Sequence, residues 1–136
     1  MMKSLLDGVA YIHEKSILHR DLKPKNILLT NTSSSCTNVK IVDFGLSAVF
    51  FLERSKNDNL KAGTLVYMAP EQATKQSYSK KIDIWACGII MYQLMSRGKH
   101  PYYTKGEQLD SVLRKLDQIE TTPIEWKFGD RFSPLA

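Results

Sequence analysis

The chain has 136 residues, 43% of them hydrophobic, and a formal charge of +5. That length suits one domain or one large subdomain, and that apolar share buries a real core, which excludes wholesale disorder. The lysines and arginines are scattered, with no basic block interleaved with aromatics, so a nucleic-acid binder has only net charge in its favour and no nucleic-acid partner is expected.

In chain order, Leu5, Leu6, Val9, Ala10 and Ile12 recur at helical spacing and predict a helix over Met2 to His13. It opens without a capping residue, which suggests chain missing upstream. The apolar pair Ile17-Leu18 leads into a polar loop ending at Asn26. Ile27 to Leu29 and Val39 to Val42 are strand candidates, and the turn-rich run Thr30 to Ser35 between them predicts a hairpin. Residues 49–63 are charged and irregular and read as a long mobile loop. Lys81 to Met95 is apolar on nearly every face and predicts a buried central helix, with Ser96-Arg97-Gly98 and then Pro101 as its stop signal. Glu107 to Leu116 carries Leu109, Val112, Leu113 and Leu116 at the spacing of an amphipathic helix. The abrupt end at Phe132 to Ala136 adds to the expectation of a fragment.

The longest apolar stretch, Ile82 to Met95, is short for a bilayer and is interrupted by Asp83 and Gln93, so no membrane partner is expected. The first residues lack the apolar core and cleavage site of a signal peptide. Cys36 and Cys87 have no metal-ligand spacing, and Cys87 reads as a packing residue. The cytoplasm is the default location, with the nucleus as the other option.

The chemistry concentrates in His19-Arg20-Asp21-Leu22-Lys23-Pro24-Lys25-Asn26, in the loop before the hairpin. Asp43-Phe44-Gly45 follows the second strand, and Ala69-Pro70-Glu71 follows the long loop. Either three-residue string alone is an ordinary turn. The eight-residue run with the other two in order leaves that bland reading little weight.

Together these strings resemble the eukaryotic protein kinase family, and Lys23 together with Gly63-Thr64 resembles its Ser/Thr branch. The resemblance covers nearly the whole chain, including Asp83-Ile84-Trp85 and Gly88 of the central helix. It implies an α+β fold, mainly α: the kinase C-lobe with short catalytic-loop hairpin strands, the N-lobe and the last C-lobe helices missing. Residues 1–136 would form a partial kinase domain, with a catalytic loop at 19–26 and an activation segment at 43–71. The implied function is transfer of the ATP γ-phosphoryl group to Ser or Thr hydroxyls of protein substrates with Mg2+.

The resemblance carries roles residue by residue. Asp21 would orient the attacking hydroxyl and accept its proton, and Lys23 would place a point charge near the transferred group. Asn26 and Asp43 would hold Mg2+, a hard cation that wants oxygen ligands. Lys23, Leu28 and Asp43 would line the ATP site, Leu28 below the adenine with Ile90 and Leu94 beneath it. Arg20, Phe44, Gly45, Thr64 and Glu71 belong to activation-segment control, and the Thr64 hydroxyl would bond Asp21 and Lys23. His19 and Phe44 would join the apolar spine that aligns the lobes, and Asp83 would anchor the catalytic-loop backbone. For Leu28, Ile90 and Leu94, plain core packing is the alternative, and the two readings are compatible.

The run Lys40-Ile41-Val42-Asp43-Phe44-Gly45-Leu46-Ser47 is similar to that of calcium/calmodulin-type and calcium-dependent kinases. It leaves room for calcium/calmodulin-type regulation from regions outside these residues. No EF-hand loop lies in the chain, and no G-x-G-x-x-G. The family's arginine partner for Glu71 is also absent. Losing one partner of a buried pair costs roughly 3–5 kcal/mol, so the chain alone is expected to be marginally stable and a poor enzyme. Residue 60, where a regulatory phosphosite often lies, is Leu60, while Ser55 and Asp58 are nearby. Activation is therefore expected not to depend on the usual loop phosphate. Lys25 and Gln93 stand where strongly basophilic kinases carry acids, which works against arginine just upstream of the acceptor. The alternative function is a non-catalytic kinase-like binding module or truncated product, docking partners through residues 102–116.

Overall fold

The computed structural model describes residues 1–33, 36–49, 65–73 and 77–119. Helix α1 spans Met2–Glu14 and buries Leu5, Val9 and Ile12 along one stripe. Lys3 and Asp7 pair at 2.7 Å on its outer face, one turn apart. Ser16, with φ 58°, turns the chain out of the helix. Strand β1 (Ile17–Leu18) follows, then a 3-10 turn at Pro24–Asn26 with proline in its first turn.

Strands β2 (Ile27–Ser33) and β3 (Cys36–Ile41) form the expected antiparallel hairpin, from Ile27 opposite Ile41 to Ser33 opposite Cys36. They run longer than their apolar cores predict. Thr30 to Ser33, expected in a loop, belongs to β2, with a register shift between Leu29 and Asn31. Cross-strand backbone bonds extend a ladder through polar residues once register is set, so composition alone understates the strands. A second correction is strand β4 (Ala48–Val49), which pairs with β1, Ile17 opposite Val49. Of its two residues, Val49 was expected as the first of the loop over 49–63. The remainder of that loop, with Ser55, Asp58, Leu60, Gly63 and Thr64, lies outside the described residues.

Helix α2 is one turn, Pro70–Ala73. The central helix α3 spans Lys81–Met95, the bounds the sequence predicts, and α4 spans Leu109–Asp117, two residues later than expected at its start. Helix α3 ends where its backbone turns left-handed at Arg97 (φ 58°) and Gly98 (φ 85°). The Gly98 N–H then caps the Gln93 carbonyl at 2.7 Å, a closure that glycine makes without steric cost.

Two apolar clusters share α3. On one side Ala86, Cys87 and Ile90 meet Leu5 and Val9 of α1 and Leu22 of the turn before β2, with Ile27, Val39 and Ile41 of the hairpin around them. On the other, Ile89 joins Val66, Tyr102, Val112 and Leu116, and the Trp85 ring stacks on Tyr102 at 6.0 Å. Burial pushes the Cys87 thiol up to about 12, which suits an inert packing residue. The helix is not buried on every face as expected, since Ile84, Met91 and Leu94 are 39–50% exposed. Packing on two sides leaves a third stripe of an all-apolar helix uncovered. Among the described residues no helix is long and apolar enough to cross a membrane.

Two acid-sensitive contacts order the end of the described chain. His100 Nε2 donates to the Val66 carbonyl at 2.8 Å, while Nδ1 accepts the N–H groups of Tyr102 and Tyr103 at 3.1 and 3.0 Å. These partners require the neutral ring, and burial holds its pKa below the usual 6.5. Three donors, Lys115, Ser111 and the Thr104 N–H, pull the Glu107 carboxyl down to about 2. In both cases the unfolded chain takes up a proton first as pH falls, so stability is lost on acidification. His100 begins to contribute below about pH 6.5 and Glu107 only below about pH 4.5. Thermal melts at about pH 7.5 and about pH 5.5 are expected to show a smaller acid loss in His100→Gln than in the natural chain. Equal losses would mean that His100 is not the group responsible.

Candidate active site

The turn between β1 and β2 gathers the eight-residue run around Asp83, which α3 carries in its first turn, 1% exposed. Its Oδ1 accepts the Arg20 N–H at 3.0 Å, and its Oδ2 accepts the His19 N–H at 2.9 Å and His13 Nε2 at 2.8 Å. A buried carboxylate needs such donors, and here they come from α1 and from the backbone just before Asp21. The loop is thereby tied to the central helix at the peptide that leads into Asp21.

Asp21 is 7% exposed. Its Oδ2 accepts Lys23 Nζ at 2.7 Å and Asn26 Nδ2 at 3.2 Å, while Oδ1 is buried with no hydrogen-bond partner among the described residues. Asn26 Nδ2 also donates to the Asp21 carbonyl at 2.9 Å. Both groups facing this amide can only accept, so its nitrogen must point at Asp21 and its oxygen must point away. Among the described residues one buried carboxylate oxygen therefore lacks a donor, and beside it stand a cation and an outward amide oxygen.

Asp43 follows β3 with an exposed side chain and φ 64°. Its Oδ1 accepts the Gly45 N–H at 3.4 Å. Arg20 is also left-handed, at φ 67°. Such backbone costs a non-glycine residue about 1–3 kcal/mol and clusters at functional sites. The Phe44 ring lies 4.8 Å from the His19 ring, and His19 is fully buried while Phe44 is 44% exposed. His19 Nε2 bonds the Val42 carbonyl at 3.1 Å, which links the turn between β1 and β2 to the end of β3.

The other expected site residues are dispersed. Leu28 is 49% exposed on β2 and Leu94 50% exposed on α3, whereas Ile90 is buried in the core cluster. Glu71, in α2, is half-buried and has no ion pair among the described residues. Its charge keeps some solvent, so the cost of an unpaired buried carboxylate is moderated. Thr64 lies outside the described residues. Sequence reading missed His13, Gln72 and Tyr78, which hold Asp83 or Arg20 from 52 to 70 residues away. No local spacing signals contacts of that range.

The site can position a hydroxyl donor against Asp21 Oδ1 and present hard oxygen ligands from Asn26 and Asp43. Such donors fit magnesium, which takes one or two protein oxygens plus phosphate. No cluster of three His, Cys, Asp or Glu side chains occurs among the described residues.

A family model described as the protein kinase domain matches residues 1–135. A probable myosin light chain kinase of Dictyostelium discoideum is 46% identical over 135 residues, covering 98% of this chain and 27% of its own length. Calcium-dependent protein kinase 4 of Plasmodium falciparum is 41% identical over 99% of this chain and 25% of its own length. The calcium/calmodulin-dependent protein kinase type II of Caenorhabditis elegans is 40% identical over 99% of this chain and 18% of its own length. The chain thus spans about a quarter or less of the length of these curated relatives.

Proposed function

The chain belongs to the protein kinase domain family, and from that premise we propose that it serves a protein Ser/Thr kinase, moving the ATP γ-phosphoryl group to substrate hydroxyls. The observation that carries this reading is Asp21 Oδ1, a buried acceptor with no donor among the described residues. An unsatisfied buried acceptor costs about 1–3 kcal/mol, and a substrate Ser or Thr hydroxyl supplies the missing donor. As that oxygen bonds the γ-phosphorus, its proton passes to Asp21, the bond to the β-phosphate bridging oxygen breaks, and ADP leaves. Lys23, held at 2.7 Å from Asp21 Oδ2, supplies positive charge where negative charge spreads over the transferred group. Asn26 Oδ1 and the Asp43 carboxylate would hold Mg2+, which when bound neutralises phosphate charge. Protein substrates and calcium-linked regulation are supported by the names of the relatives, of which two are calcium-dependent or calcium/calmodulin-dependent kinases.

The test is phosphoryl transfer from radiolabelled ATP to a Ser/Thr peptide array by the full-length protein, with and without Mg2+. Transfer is expected only with Mg2+, and without preference for arginine two residues before the acceptor, since Lys25 and Gln93 offer no attractive charge there. Absence of transfer with Mg2+ present would favour the non-catalytic binding module. A strong arginine preference would overturn the reading of Lys25 and Gln93.

A further inference from the structure

Granting Asp21 as the base, we infer that His100 is a positioning residue for the protein substrate, because from outside it holds the turn at 65–68 that walls the pocket beside Asp21. That turn is closed by the Met68 N–H, which donates to the Leu65 carbonyl at 3.1 Å. On its inner side Tyr67 and Met68 line a pocket together with Asp21, Leu22, Ile82 and Asp83. Asn26, Leu28 and Asp43, the residues proposed to face ATP and Mg2+, do not line that pocket. A polypeptide that presents a hydroxyl to Asp21 must lead its chain away past this wall. A nucleotide held at Asn26 and Asp43 need not.

The left-handed pair Arg97 and Gly98 ends α3 and turns the chain back, and His100 follows two residues later. Pro101 comes next, and the residue before a proline is confined to extended backbone. His100 Nε2 donates to the Val66 carbonyl at 2.8 Å, and its ring meets the Tyr67 ring edge-on at 5.9 Å. The Val66 carbonyl and the Tyr67 N–H share one rigid peptide plane, so fixing the first sets the direction in which the chain enters Tyr67. Side-chain packing does not set that direction. Val66 is buried with Ile89, Val112 and Leu116, and apolar contacts are non-directional. The other ring nitrogen, Nδ1, accepts the N–H groups of Tyr102 and Tyr103 at 3.1 and 3.0 Å. One nitrogen therefore serves the segment after α3, the other serves the wall of the pocket, and the two duties can be separated by substitution.

Asparagine puts an acceptor oxygen where Nδ1 stands but stops short of Val66. Glutamine carries an amide NH2 out to where Nε2 stands but loses the acceptor for Tyr102 and Tyr103. The test is steady-state kinetics of the full-length protein with Mg2+, ATP and a Ser/Thr peptide that it phosphorylates. In His100→Asn we expect KM for the peptide about five- to tenfold higher, the size of one lost hydrogen bond, with kcat and KM for ATP natural. His100→Gln should bring the peptide KM back to within about twofold of the natural value. A merely structural histidine predicts the reverse order, since glutamine gives up two contacts and asparagine one. Should either variant fail to fold, Tyr67→Leu decides by the same split, a raised KM for the peptide with a natural KM for ATP. A natural peptide KM in His100→Asn or in Tyr67→Leu, a larger rise in His100→Gln than in His100→Asn, or equal rises for peptide and ATP would each overturn the inference. A full-length protein that transfers phosphoryl groups to no peptide would instead overturn the kinase reading, and this inference with it.

Discussion

Asp21→Asn is expected to lower kcat by about 10²–10⁴-fold, the range supplied by a positioned general base, while leaving the fold intact. The geometry explains why so small a change would do this. Lys23 Nζ and Asn26 Nδ2 both donate to one side of the Asp21 carboxylate, so the new amide must turn its oxygen toward them. Its NH2 then occupies the position of Oδ1, the buried oxygen without a partner among the described residues. On the proposed reading, an acceptor for the substrate hydroxyl becomes a donor that opposes it. Single-turnover measurements with saturating ATP would separate the loss in chemistry from any loss in binding. A variant within twofold of the natural rate would remove Asp21 from the reaction.

The second large effect is expected at Asp83, which touches no substrate. Asp83→Asn keeps the volume but offers one acceptor oxygen where the carboxylate offers two. If that oxygen serves His13 and the His19 N–H, the new NH2 faces the Arg20 N–H, donor against donor. Breaking such a buried charged network costs about 3–5 kcal/mol, a large share of the roughly 5–15 kcal/mol that holds a domain together. Urea unfolding followed by circular dichroism would read the loss. The same variant should also depress kcat, because the peptide that leads into Asp21 is released from α3. Natural stability in Asp83→Asn would show that the network contributes little.

How much of this was legible in the sequence depends on the range of the contacts involved. Helix α3 reads to the residue, because an uninterrupted apolar run between Lys81 and the Ser96-Arg97-Gly98 stop defines both ends. The hairpin reads as present but too short, because Asn31 to Ser33 pair beyond the shift at Thr30 and carry no apolar pattern. Strand β4 has two residues, and its existence depends on β1 lying opposite, a partner about 30 residues earlier in sequence. At the site, Asp21, Lys23 and Asn26 are close in sequence, so the string that names them also predicts their neighbourhood. The interactions that fix them do not read the same way. His13 to Asp83, Tyr78 to Arg20 and Gln72 to the Arg20 carbonyl each cross more than 50 residues. The opposite miss is the exposed stripe of α3, where burial inferred from apolar composition exceeds what the surrounding elements cover.

The left-handed backbone at Arg20 and Asp43 bears on whether this site could be moved elsewhere. Arginine disfavours that conformation and aspartate only tolerates it, so local sequence preference and native geometry disagree most at Arg20. A peptide copied from residues 17–26 would relax to another shape, since the donors and acceptors that oppose the relaxation belong to α1, α2, α3 and the stretch around Tyr78. Grafting the eight-residue run onto a foreign scaffold would transfer its letters without its shape. The transferable unit is the loop together with the buried aspartate, histidine, glutamine and tyrosine that hold it, residues scattered through four parts of the chain.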